Sequence, residues 1–189
     1  MNMISRAAVV MIGMTGLAAA QPRTEAKPAD AQPPAELAEL AKATAGTWRC
    51  KGQGMDHSQK LVDMTATMKI KLDVANWWIH SSFDARMGRE PFEFESFTSF
   101  DPKTRSWKRV MVESGGTWSS GESVGTGATM KDDKKVDWEL ATHSPTMGDG
   151  MFRDHEDMSD AKAGARTWGE FSPDKGKTWI KIYEMTCKK

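Results

Sequence analysis

The sequence has little of several features that mark common classes of protein. Its 189 residues carry 26 Lys and Arg against 26 Asp and Glu, so the formal net charge is zero. A chain without excess positive charge or a basic stripe is poorly suited to electrostatic binding of nucleic acid, and we expect no nucleic-acid partner. Tyrosine occurs once, whereas tryptophan occurs eight times and phenylalanine seven times. The fifteen Trp and Phe side chains all lie between Trp48 and Trp179 and can fill a substantial core.

Recognisable catalytic and metal-binding patterns are also missing from the sequence. Serine is frequent, but there is no G-x-S-x-G segment and no ordered Ser/His/Asp set. The histidines are His57, His80, His143 and His155. Their spacing includes no i, i+2 or i, i+4 pair, so the pattern does not support a zinc site. We therefore predict no enzyme, no metal and no cofactor, and we name no catalytic residue.

Long apolar runs are confined to the N-terminus. Residues 1–20 combine a short segment with one positive charge, an apolar stretch, and three alanines that end at Ala20. This order is typical of a cleaved signal peptide. An uncleaved membrane anchor is the alternative, but the run is short for a hydrocarbon core of about 30 Å. We predict cleavage after Ala20, no stable membrane span after cleavage, and a periplasmic or secreted protein.

Proline is concentrated in the segment that follows. Residues 21–33 are rich in Pro and Ala and contain no large apolar side chain, which predicts a disordered linker. Residues 34–189 are predicted to form a single domain. Apolar residues then recur at helical spacing at Leu37, Leu40, Ala41 and Ala45. Pro34 can open such a helix and Gly46 ends the pattern, so we predict one short N-terminal helix.

From Thr47 onward the apolar residues alternate with a period of two. Between Met64 and Leu72, apolar residues occupy the even positions and Thr or Lys the odd ones. This pattern is typical of a strand with one solvent-exposed face. Similar segments recur along the chain, separated by turn sequences that contain Gly, Pro or Asp. About nine or ten strands without intervening helices predict an antiparallel barrel or sandwich.

The segment Gly46-Thr47-Trp48, between the helix and the first strand, resembles the G-x-W motif of the calycin superfamily of lipocalins and fatty-acid-binding proteins. The wider likeness, over roughly residues 37–189, is to a family of exported bacterial proteins of unknown function with a lipocalin-like barrel. It includes segments 100–107 and 112–117. The resemblance implies an all-β, calycin-like antiparallel barrel in which Trp48 closes one end. A core tryptophan in an unrelated β-sandwich is the alternative.

The continuation of this motif also resembles the G-x-W-x-G-x-G opening of nitrobindin-type haem barrels. Cys50 stands where that pattern has its first downstream glycine, although Gly52 and Gly54 follow. The resemblance implies that one strand-borne histidine could ligate haem. Because no histidine has a partner at metal-site spacing, we expect solvated or hydrogen-bonded histidines and no haem.

The sequence contains two cysteines, one near each end of the predicted domain. Exported proteins form disulfides in oxidising compartments, and the first and last strands of a closed up-and-down barrel are antiparallel neighbours. We therefore predict a disulfide between Cys50 and Cys187. Two separate buried thiols are the alternative.

Residues 172–179 match the S-x-D-x-G-x-T-W pattern known as an Asp box. Sialidases carry several copies, one in each propeller blade, whereas this chain has one copy and is too short for six blades of roughly 40–45 residues. We interpret the segment as a structural turn rather than as a sign of glycosidase activity. The residues that shape this turn are Ser172, Asp174, Gly176 and Trp179.

A barrel of this size encloses an interior that is either filled by side chains or holds a small apolar ligand. We predict an exported binding protein for a small hydrophobic molecule, because flexible methionines suit an adaptable pocket. The candidate ligand-binding residues are Trp48, Met64, Met68, Ile70, Phe92, Phe94, Trp107 and Met111. The alternatives are a structural or interaction barrel with a filled core and no ligand, and a nitrobindin-type haem-binding barrel. The ligand's identity and the oligomeric state are not indicated by the sequence.

Overall fold

The alternating segments of the sequence form ten antiparallel strands that follow one short helix. The computed structural model describes residues 32–125, 134–160 and 162–189. The predicted signal peptide and all but the last two residues of the predicted linker lie outside the described residues.

Helix α1 covers Ala35–Thr44, as the spacing of its leucines predicts. The strands are β1 (Gly46–Met55), β2 (Leu61–Asp73), β3 (Trp78–Met87), β4 (Glu90–Asp101), β5 (Ser106–Glu113), β6 (Trp118–Val124), β7 (Lys135–Ser144), β8 (Gly148–Asp157), β9 (Ala165–Ser172) and β10 (Ile180–Lys188). Within the part of the chain described, no helix is both long enough and apolar enough to cross a bilayer.

The ten strands form a closed barrel. Each strand pairs with its neighbours in the sequence, and β10 pairs back onto β1. This arrangement confirms the predicted all-β antiparallel barrel with a short N-terminal helix. Closure gives both edges of every strand a hydrogen-bonded partner, which protects the strands from pairing with other chains.

The predicted disulfide is also confirmed. In the pairing of β1 with β10, Cys50 lies directly opposite Cys187, and the two Cα atoms are 4.0 Å apart. The bond closes a sequence separation of 137 residues. Both cysteines are buried. The disulfide therefore fastens the seam at which the barrel closes.

The two ends of the barrel differ. Successive strands run in opposite directions, so β2, β4, β6 and β8 finish at the end of the barrel where α1 lies. We call this end the closed end. There Leu37 and Leu40 pack into a buried cluster with Ile79, Phe100, Trp107, Val136, Trp138, Leu140 and Phe152. The indole N–H of Trp48 donates to the carbonyl of Thr44, 2.7 Å away, which ties the end of α1 to β1.

The connections after β1, β3, β5, β7 and β9 lie at the opposite end, which we call the open end. The last of them contains the Asp box. Asp174 Oδ1 accepts hydrogen bonds from the Ser172 hydroxyl at 2.8 Å and from the backbone N–H of Thr178 at 2.8 Å. Gly176 adopts a φ of 88°, which favours glycine, and its carbonyl accepts from the indole N–H of Trp179. The carboxylate thus organises the turn.

Replacing Asp174 with asparagine should lower the melting temperature by a few degrees at pH 7. Hydrogen bonds from Thr178 and Ser172 lower the pKa of Asp174 to about 2 from an ordinary 3.8. A lowered folded-state pKa contributes stability that is present above pH 3.8 and is lost as the pH falls towards 2. Thermal melting at pH 7 and pH 3 measures the effect, with the exposed Lys177→Ala as the control in the same turn. A deficit that is constant or larger at pH 3 would contradict this role.

Candidate functional site

The barrel encloses a cavity of about 1060 Å³. It extends from Leu40 of α1 to loop residues at the open end, including His57 and Thr146. Alternate residues of the strands point inward and form its wall, as the period of two in the sequence requires. The volume is slightly above the usual range of ligand pockets, about 300–1,000 Å³.

The structure places seven of the eight candidate ligand-binding residues on the cavity wall. They are Trp48, Met64, Met68, Ile70, Phe92, Phe94 and Met111. Trp107 is not among the lining residues. Its side chain is 1% exposed and packs against Phe100, with ring centroids 5.0 Å apart, in the core beneath α1. Alternation predicts which face of β5 points inward but not where a residue lies along the barrel axis. Trp107 lies near the closed end, beneath α1, whereas Met111 lies further towards the open end.

Methionine is the most frequent large apolar residue of the wall. Eight methionines line the cavity: Met55, Met64, Met68, Met87, Met111, Met147, Met158 and Met185. Five of these were not identified from the sequence, since they lie at strand ends, in connections or on strands whose pattern is less regular. Unbranched thioether side chains can change rotamer to follow the shape of a ligand, so this wall is adaptable.

A group of polar side chains interrupts the apolar wall. From β5, the guanidinium of Arg109 extends across the interior to β8. Its Nη1 donates to Asp154 Oδ2 and its Nη2 donates to Glu156 Oε1, both at 2.6 Å. Its Nε donates to the Thr98 hydroxyl at 3.3 Å, and the guanidinium carbon lies 3.7 Å from the ring centroid of Trp138. Arg109 is thus held on three sides.

Two residues extend this network from β9 and β10. The Tyr183 hydroxyl donates to Asp154 Oδ1, and the Thr167 hydroxyl lies 3.3 Å from the same oxygen. We call Arg109, Asp154, Glu156, Thr167 and Tyr183 the polar cluster. All five line the cavity. A side chain at Gly169, between Asp154 and Tyr183 in the sheet, would place its Cβ 2.2 Å from the Tyr183 ring, so this glycine gives the tyrosine its position.

The cluster is largely shielded from water, which changes its ionisation. Burial raises the pKa of Glu156, and the adjacent Arg109 only partly opposes this effect. Burial also raises the pKa of Tyr183 well above its ordinary value, with a further contribution from Asp154. For Arg109, burial acts to lower the pKa, but the Glu156 and Asp154 carboxylates outweigh it and raise the pKa. Two carboxyl groups therefore share one permanent cation.

The histidines lie away from this cluster. His80 stacks on Phe97 with ring centroids 4.7 Å apart, and His155 stacks on Trp168 at 4.8 Å. Neither of them, nor His143, is among the lining residues, because all three occupy outward positions on their strands. His57 lines the cavity from the connection between β1 and β2, with a side chain that is 78% exposed. A strand-borne histidine is therefore not positioned to ligate haem in this cavity.

The described residues contain no group of three or more His, Cys, Asp or Glu side chains arranged to hold a metal ion. The oxygens of Asp154 and Glu156 nearest to Arg109 are engaged by its guanidinium. The wall thus offers apolar contact and hydrogen bonding as its chemistry.

No described protein family matches this sequence, and no curated protein matches it either. Among solved structures, the chain is similar to the crystal structure of Rv2717c from M. tuberculosis, with a TM-score of 0.61. The similarity covers 84% of this chain and 99% of that chain, at 9% sequence identity. At this identity the likeness extends to the fold alone, since one barrel fold hosts many functions. The chain therefore shares the barrel architecture of that protein.

Proposed function

We propose that this protein is an exported binding protein for a small hydrophobic molecule. The observation that carries the proposal is the cavity of about 1060 Å³, on whose wall Met, Phe and Ile are the most frequent large apolar residues. A ligand that buries apolar surface there gains roughly 25 cal/mol for each Å² removed from water. A few polar groups on such a wall can fix the orientation of the ligand.

The disulfide supports export to an oxidising compartment. Disulfides persist in secreted and periplasmic proteins and are rare in reducing compartments. Cys50 and Cys187 are bonded at the seam of the barrel, where they contribute to the fold itself. The predicted signal peptide, residues 1–20, is the means of export in this proposal.

The arrangement of the interior favours this function over the alternatives. In a structural barrel with a filled core, side chains would occupy the space that remains beside Met68 and Met111. In a nitrobindin-type barrel, a strand histidine would face the interior, whereas His80, His143 and His155 lie on the outer face.

We expect the protein to bind an uncharged apolar fluorescent probe with a dissociation constant of about 1 μM, equivalent to roughly −8 kcal/mol. Replacing Met68 with tryptophan should weaken binding at least about tenfold, because the larger ring fills part of the cavity. Fluorescence titration measures both affinities.

The matched control is Lys69→Trp. Lys69 is next to Met68 on β2 but points outward and is exposed, so this variant should bind the probe as the unaltered protein does. Circular dichroism verifies that both variants fold. If the unaltered protein fails to bind the probe, the filled or purely structural barrel replaces our proposal.

A further inference from the structure

The polar cluster shows which kind of ligand head group the cavity can accept. Each of the three guanidinium nitrogens of Arg109 already donates a hydrogen bond, to Thr98, Asp154 or Glu156. An arginine on the wall of an apolar pocket would ordinarily attract a carboxylate. Here that role is taken by two carboxyl groups of the protein, and a third carboxylate would be repelled by both.

Over the whole wall, carboxyl groups outnumber cationic groups. The described lining residues include five carboxyl groups, Asp56, Glu90, Glu113, Asp154 and Glu156, and two guanidinium groups, Arg109 and Arg166. Arg166 is paired with Glu184, its Nη2 donating to Glu184 Oε1. Lysine is not found among these lining residues. The wall therefore has more negative than positive groups.

Three of the five carboxyl groups lie at the entrance of the cavity. Asp56, Glu90 and Glu113 lie at the open end, where a ligand would enter. The Ser58 hydroxyl, which donates to Asp56 at 2.7 Å, helps to lower the pKa of that carboxyl, so it is ionised at neutral pH. A cleft lined by charges of one sign raises the local concentration of molecules of the opposite sign and repels those of the same sign.

Within the cavity, hydrogen-bonding capacity remains next to Arg109. Glu156 Oε1 is engaged by Arg109, whereas Oε2 accepts no hydrogen bond from the residues that the structure describes. The indole N–H of the buried Trp138 approaches this carboxyl group and helps to stabilise its ionised form, while the Glu156 side chain remains 26% exposed and lines the cavity. A carboxyl oxygen that remains accessible is a site for a hydrogen-bond donor on the ligand.

We infer that the ligand is an amphipathic molecule whose polar end donates a hydrogen bond and carries no negative charge, such as an aliphatic amine or alcohol. The head group lies against Glu156 and the apolar chain lies against the methionines. Fatty acids and other apolar carboxylates are excluded. This inference rests on the proposed function, since it names the class of molecule bound in the same cavity.

Three ligands with the same ten-carbon chain test the inference. Decylamine, decanol and decanoate are each used, below their micelle-forming concentrations, to displace the uncharged fluorescent probe from the disulfide-bonded protein at pH 7. We expect decylamine and decanol to displace the probe at concentrations at least about tenfold lower than decanoate requires. The comparison between amine and alcohol shows whether positive charge adds to hydrogen bonding.

Two variants connect the preference to the cavity. Glu156→Gln removes the carboxyl group beside Arg109 and should reduce the ratio of amine to carboxylate affinity about tenfold. Glu139→Gln is the control, because Glu139 lies on the outer face of β7 and pairs with Arg153. Its ratio should equal that of the unaltered protein.

The possible results separate the inference from the function on which it rests. Equal or tighter binding of decanoate than of decylamine would overturn the inference and leave the binding function intact. A protein that does not bind the probe would overturn both. The comparison of the three ligands uses the unaltered protein, so it is decisive even if Glu156→Gln does not fold.

Discussion

Replacing Arg109 with methionine should lower the free energy of unfolding by about 3–5 kcal/mol. The Arg109 side chain is 11% exposed and the Asp154 side chain 7%, so both charges are largely removed from water. Methionine retains much of the apolar length of arginine but leaves Asp154 and Glu156 without a counter-ion. An uncompensated buried charge costs more than the net contribution of the original ion pair. Urea denaturation at pH 7 measures the loss.

The control for this prediction is the triple variant Arg109→Met, Asp154→Asn, Glu156→Gln. It removes the carboxylates together with the guanidinium and should recover most of the lost stability, because ion pairs replaced as a unit are often nearly neutral in effect. A loss below about 1 kcal/mol in the single variant would resemble an exposed ion pair and contradict the buried cluster.

The loss of unfolding free energy in Arg109→Met should also depend on pH. Burial raises the pKa of Glu156 above its ordinary value of 4.5, so the folded protein holds this proton more tightly than the unfolded chain. The resulting stability is fully present below pH 4.5 and is lost as the pH rises through the folded-state pKa. Protonated Glu156 does not need Arg109 as a counter-ion. We therefore expect the deficit of Arg109→Met to be smaller at pH 4 than at pH 7.

Removing the disulfide should have the second large effect. With Cys50 and Cys187 both replaced by alanine, the free energy of unfolding should fall by up to about 5 kcal/mol, since the bond closes 137 residues in the unfolded chain. For a domain of this size the melting temperature then falls by roughly 10–20 °C. Calorimetry with and without dithiothreitol measures the change.

Reductant provides the control for this second prediction. It should lower the melting temperature of the unaltered protein towards that of the double variant and leave the variant itself unaffected. Two alkyl adducts on the folded, air-exposed protein, found by mass spectrometry without reductant, would contradict the disulfide.

Much of the fold follows from local patterns in the sequence. In β2, the alternation predicts that Met64, Met68 and Ile70 share one face, and all three line the cavity. Lys69 and Lys71 of the same strand are exposed. Closure of the barrel is a longer-range property, which was implied by the resemblance of Gly46-Thr47-Trp48 to the calycin motif, and the pairing of Cys50 with Cys187 was predicted from that closure. Alternation therefore predicts the strands and their inward faces, whereas closure needed the resemblance.

The polar cluster could not be predicted in the same way. Arg109 is 45 residues from Asp154 and 47 from Glu156, so no local spacing connects them. In the sequence each is one more charged residue on a strand, and alternation favours placing charges on the solvent face. The contact of Arg109 with Asp154 and Glu156 depends on the order of strands around the barrel. Two signals were available: Asp154 and Glu156 share the face of β8 that also carries the buried Phe152, and Arg109 shares the face of β5 that carries Trp107 and Met111.

The position of Ile182 depends on an irregularity in β10. The register shifts between Lys181 and Tyr183, and both Ile182 and Tyr183 line the cavity although they are consecutive. A strict period of two would place one of them outside. The sequence has no glycine at this point of β10 to indicate a bulge. Alternation from Met185 and Cys187 already places Tyr183 inward, so only the inward direction of Ile182 needed the three-dimensional structure.

That the barrel holds one small apolar molecule is tested most directly by native mass spectrometry of the protein purified from the compartment to which it is exported. We predict an additional mass of one small molecule on the unaltered protein and on Lys69→Trp, released by collisional activation and reduced or absent in Met68→Trp. The bare mass of the protein, persisting after addition of excess decylamine or decanol, would contradict a ligand-binding function.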